Sequence, residues 1–82
     1  MQEAAAREYH NSPLHVEHAL IGLQVRVNTA KHMEAGIATL ASAFFAKRSV
    51  EIKEMKVVYF GDPTPANAAQ LIELCENTRR ML

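Results

Sequence analysis

The sequence predicts a mainly α protein with a minor β element, an α+β fold made of a helical hairpin or small bundle, one or two short strands and a C-terminal helix. Three observations carry that reading: an apolar stripe at three-four spacing through the first half, a cluster of β-branched and aromatic residues at 50–60, and the breaker Gly61-Asp62-Pro63-Thr64-Pro65. At 82 residues the chain has room for one core, so residues 1–82 are read as a single small domain.

Taken in order, residues 2–10 contain the helix formers Ala4, Ala5 and Ala6 and run into Asn11-Ser12-Pro13. There Ser12 is suited to cap a new helix whose first residue is Pro13. Beyond it Val16, Leu20, Leu23, Val27 and Ala30 recur as one buried helix face, and the pattern continues at Met33, Ile37, Leu40 and Phe44. An unbroken helix over 13–47 would be about 52 Å long, at about 1.5 Å per residue, against a radius of gyration near 12 Å for a compact domain. The favoured reading is a break near Asn28-Thr29 and an antiparallel hairpin; a single long helix inside an oligomer is the other. Gly22 and Gly36, on or beside the stripe, are read as points of close helix approach.

Residues 49–60 read as extended chain, because Val50, Ile52, Val57, Val58, Tyr59 and Phe60 favour strands and 50–53 alternates with period two. The phase slips at Lys53-Glu54, which leaves one bulged strand, a short hairpin, or a helix persisting to Met55. After the breaker, Thr64 caps and Pro65 opens a final helix whose Ala68, Leu71, Ile72, Cys75 and Leu82 share a face. Arg79 and Arg80 suit its C-terminal dipole.

Nine Lys plus Arg balance nine Asp plus Glu, so no net field attracts phosphate backbones or acidic lipid, and nucleic-acid binding is disfavoured. The longest apolar stretch, 35–46, falls short of the roughly 20 residues needed to span a bilayer. The start Met1-Gln2-Glu3-Ala4 has no secretory pattern, and the lone Cys75 cannot form an internal disulfide. A cytoplasmic protein without a membrane segment is expected.

Few residues suggest chemistry. His15 and His18, three apart on a helix, are the weak candidates for a metal, but His15-Val16-Glu17-His18 is not a zinc-protease pattern. Cys75 sits in an apolar stripe rather than in a basic pocket that would activate it, and reads as core. The carboxylates are scattered, Ser12, Ser42 and Ser49 lack a nucleophile elbow, and there is no Gly-rich phosphate loop. No catalytic constellation, metal or cofactor is therefore expected. The one basic cluster, Lys47, Arg48, Lys53 and Lys56 beside Tyr59, could hold a nucleotide or small ligand at a subunit boundary. Its simpler reading is a solvated face in which Glu51 and Glu54 dilute the charge.

The segments Ala4-Ala5-Ala6-Arg7-Glu8, Val16-Glu17-His18-Ala19-Leu20 and Gly22-Leu23 together resemble the first two helices of the Clp ATPase N-terminal domain, a helical module that in that family binds substrates and adaptors. The likeness ends at Leu23, the strand-like stretch has no counterpart in that all-helical domain, and the sequence does not assign the family.

The function expected from these residues is binding without catalysis: a regulator, inhibitor or adaptor that contacts another protein and self-associates as a dimer or higher oligomer. Val16, Leu20, Leu23, Val27, Val57, Tyr59 and Phe60 are its expected interface. The alternative is a small-ligand or nucleotide-binding oligomer using Lys47, Arg48, Lys53, Lys56 and Tyr59.

Overall fold

The computed structural model describes residues 7–82. They form three helices, α1 Pro13–Ala30, α2 Ala35–Gly61 and α3 Pro65–Met81, with a helical turn at 7–9 ahead of α1. The Ala4–Ala6 part of the expected opening helix lies outside the described residues.

Both proline-led starts form as their chemistry dictates. Ser12 accepts a hydrogen bond from the His15 N–H and Thr64 from the Asn67 N–H, so each hydroxyl satisfies a donor that the first helical turn leaves unpaired. Pro13 and Pro65 follow, where a missing N–H costs nothing.

The helix break also exists, but at 31–34 rather than at Asn28-Thr29. Those two residues stay helical because their side chains are satisfied within α1: the Asn28 carbonyl oxygen accepts from Gln24, and the Thr29 hydroxyl donates to the Val25 carbonyl. The chain instead turns through backbone bonds from His32 N–H to Thr29 and from Met33 N–H to Ala30.

The expected β element is absent: among the described residues there is no strand, and 49–60 is the C-terminal half of α2. The fold is helical, not α+β. The period-two alternation over 50–53 was too short to separate from a helical pattern, and Ile52, Met55 and Tyr59, three and four apart, turn one face inward. β-Branched residues lower helix propensity by only a few tenths of a kcal/mol each, about 0.7 at most, while glycine and proline are missing from the whole interval between Gly36 and Gly61. Nothing interrupts the helix until the breaker.

α3 is the centre of the molecule. It packs along both other helices, whereas α1 and α2 touch each other sparingly. The core joins Val16, Leu23 and Val27 of α1, Ile52 and Tyr59 of α2, and Ala68, Leu71, Ile72 and Cys75 of α3. Burial of a Val, Leu or Ile side chain is worth about 1.5–3 kcal/mol, so this cluster is the principal source of stability. Buried Thr78 donates to the Leu74 carbonyl at 2.7 Å, which leaves no unpaired hydroxyl inside. The Arg26 guanidinium ties the chain end to α1 by donating to the Leu82 carbonyl at 2.7 Å.

The apolar stripe is buried through Val16, Leu23, Val27 and Ala30, with Leu20 half-buried, but it does not continue beyond the turn. Ile37 and Leu40 are exposed, Leu40 to 73%. The turn at 31–34 resets the helical phase, and α2 presents a different face to the core. Of the two glycines, Gly22 does meet a neighbour, since a Cβ there would lie 3.3 Å from the Arg79 guanidinium. Gly36 has nothing within 4 Å and serves no close approach.

The arrangement is flat, with principal-axis extents of 44 × 29 × 14 Å. Its radius of gyration is 14.1 Å, against about 12 Å for a compact chain of this length.

Candidate functional site

Because α3 lies behind α1 and α2, the side opposite α3 is an open groove between these two antiparallel helices. At one end Pro13, Val16 and Leu20 face Tyr59 and Phe60. In the middle Leu20, Leu23 and Gln24 face Phe45, Ser49, Ile52, Lys53 and Lys56. At the other end Val27, Ala30 and Lys31 face Ala41, Ser42, Phe45 and Ala46, with Leu82 closing the floor. Leu20 and Phe45 each line two of these stretches, so the groove is continuous. Its walls are mostly apolar. Outside it, Lys53, Lys56, Val57 and Phe60 form a shallow apolar cup on the shoulder of α2.

The exposed apolar surface is distributed unevenly. Among the described residues, six of the ten exposed large hydrophobics belong to α2: Ile37, Leu40, Val50, Val57, Val58 and Phe60. Val57 is 75% exposed and Phe60 64%. A second group, Leu14, Ile21 and Val25, lies on the outside of α1. Sequence reasoning missed this α1 group, although its seven and four spacing was a readable signal of a second apolar face. The total accessible surface is 5717 Å², against roughly 4,900 Å² expected for a monomer of 9.1 kDa.

Of the seven expected interface residues, Val16, Leu23, Val27 and Tyr59 are buried in the protomer and have no surface to offer. Leu20 is half-buried in the groove wall, and only Val57 and Phe60 are exposed. The basic cluster is not assembled into one pocket. Lys47 and Lys56 are nine residues apart and, at 3.6 residues per turn, point to opposite sides of α2. Arg48 is engaged with Glu51 at 3.3 Å and lies over the Phe44 ring at 5.5 Å. Tyr59 is buried, which leaves Lys53 and Lys56 as the two cations that share a surface.

The histidines form a contact network at the start of α1. The Tyr9 ring stacks on His15 with centroids 4.7 Å apart, and the Tyr9 hydroxyl is 2.9 Å from Nδ1 of His18. The Asn11 N–H donates to Nδ1 of His15 at 3.0 Å, from a residue at φ 61°. A backbone N–H only donates, so neutral His15 carries its proton on Nε2, 3.8 Å from a Glu76 carboxylate oxygen. Both Nδ1 atoms are thus engaged, and no group of three or more His, Cys, Asp or Glu suited to a metal occurs among the described residues.

Cys75 is fully buried, and that burial pushes its thiol from 9.0 up to about 11. Lys56 opposes the shift but does not outweigh it. The sulfur is inaccessible and protonated at neutral pH, the opposite of an activated nucleophile. No helix among the described residues is long and apolar enough to cross a membrane.

Comparison with protein-family models, curated proteins and solved structures finds no match to this chain. The short likeness of residues 4–23 to the Clp module is therefore not carried further.

Proposed function

We propose that this chain is a non-catalytic association module, a small regulator, inhibitor or adaptor that works through helix-helix contacts and associates first with itself. The observation that carries the reading is the concentration of exposed large hydrophobics on α2, beside an apolar groove that the protomer leaves open. The surface excess over a monomer of this mass is about 800 Å², which matches what one protomer buries in a standard interface, roughly 800 Å². The inert thiol and the dispersed polar groups offer no support for catalysis. The dispersal of Lys47, Arg48, Lys53 and Lys56 weighs against the nucleotide reading. A cytosolic setting is part of the proposal, resting on a single cysteine without a disulfide partner.

Sedimentation equilibrium tests it. The wild-type chain is expected to show a mass rising with concentration above 9.1 kDa, and the paired change Val57→Asp, Phe60→Asp is expected to return it to that value with helicity unchanged. A wild-type chain that stays at monomer mass up to about millimolar concentration, where even weak association shows, overturns the reading.

A further inference from the structure

We infer that the groove between α1 and α2 is closed by the same groove of a second copy of this chain, stacked about a two-fold axis parallel to the helices so that α1 of each lies on α2 of the other. This deepens the self-association proposed above and rests on it.

The argument is one of charge and shape together. Glu17 is the single acidic residue on the α1 wall, and it sits at the end of the groove where Phe60 lies. Across the groove the α2 wall carries two cations at neighbouring levels, Lys53 and Lys56. Neither lysine has a carboxylate within 4 Å among the described residues, where the acidic partners of ion pairs are Glu51 and Glu76. A two-fold axis along the helices keeps each level and exchanges the walls. It therefore sets Glu17 of one copy over Lys53 and Lys56 of the other, twice by symmetry. The same operation lays exposed Ile21 toward the cup of Val57 and Phe60. Further along, Gln24 comes over Ser49, polar on polar.

The competing two-fold axis, running across the helices, would instead lay α2 on α2 and set Lys53 and Lys56 over the stretch around Ser42 and Ala46, where there is no acid. A lone desolvated ammonium is costly, so the first arrangement is preferred. The result is a four-helix layer with α3 of each copy on its two outer sides, and left-over apolar surface on both α1 and α2 is removed from water in one contact.

The test is a charge swap read by light scattering after size-exclusion chromatography. Glu17→Lys alone places like charges face to face, as does Lys53→Glu with Lys56→Glu, and each variant chain is expected to dissociate at roughly tenfold higher concentration than wild type or more. Mixing the two variant chains restores opposite charges at both symmetry-related contacts, so a mixed dimer of wild-type strength is expected. Circular dichroism of each variant confirms that it remains folded. If the wild-type chain associates but neither swap weakens it, or mixing restores nothing, the groove-to-groove arrangement is wrong while self-association stands. A wild-type chain that never associates removes both.

Discussion

α2 and α3 share a core but are built on different terms. α3 has 17 residues and buries Ala68, Leu71, Ile72, Cys75 and Thr78; α2 has 27 residues and buries only Ile52 and Tyr59. α3 begins on a side-chain cap and ends with Arg79 and Arg80 in its last turn, whereas α2 begins at Glu34 with no side-chain cap. α2 nevertheless has the more apolar composition. The helix that spends fewest of its hydrophobic side chains on the protomer is the one with most to offer another surface, which is the physical basis for assigning it the binding role.

The sharpest way to break this comparison is to delete side chains on each helix. Leu71→Ala on α3 empties a site that is 1% exposed and is expected to cost about 2–5 kcal/mol, enough to unfold much of a marginal domain in a urea titration. Leu40→Ala on α2 is expected to fall within about 0.5 kcal/mol of wild type. Equal losses at both positions would contradict the contrast.

A second effect belongs to Cys75. Its native thiol holds a proton up to about pH 11 whereas the unfolded thiol loses it near 9.0. The unfolded state therefore binds fewer protons inside that window, and stability falls as pH rises through it. The contribution is fully present below about pH 9 and amounts to roughly 2–3 kcal/mol lost by the top of the window. Cys75→Ala should flatten the alkaline decline of the denaturation midpoint relative to wild type. Parallel slopes for the two proteins would show that this thiol is not the group responsible.

Smaller effects are expected at the helix ends and surface. Thr64→Ala removes the acceptor of the Asn67 N–H and should cost about 1 kcal/mol, seen as a lowered thermal midpoint, with Thr64→Ser close to wild type. Removal of Arg48 from its exposed pair with Glu51 should change stability by less than about 1 kcal/mol.

What could be read from the sequence divides along the same line. Both caps and both proline starts were legible, because Ser12-Pro13 and Thr64-Pro65 act through local hydrogen bonds that need no tertiary context. The inward face of α3 was legible for a related reason: Ala68, Leu71, Ile72 and Cys75 stand among polar neighbours. α2 defeated the same method. Its apolar residues point all round the helix, so Val50, Ile52, Val57 and Val58 looked like a strand when they are a helix with two apolar sides, one for α3 and one outward. The candidate interface was half legible. Val57 and Phe60 were identified, but Val16, Leu23, Val27 and Tyr59 are core, since a sequence shows that a residue is apolar without showing which apolar face the protomer uses.

The most direct test of the binding role of α2 is hydrogen exchange measured at low and high protein concentration. Amides of α3 owe their protection to the protomer core and should exchange at the same rate in both samples. Amides around Lys53–Phe60 should slow at high concentration as association covers them. Rates in α2 that do not change with concentration, or a slowing confined to α3, would contradict the account.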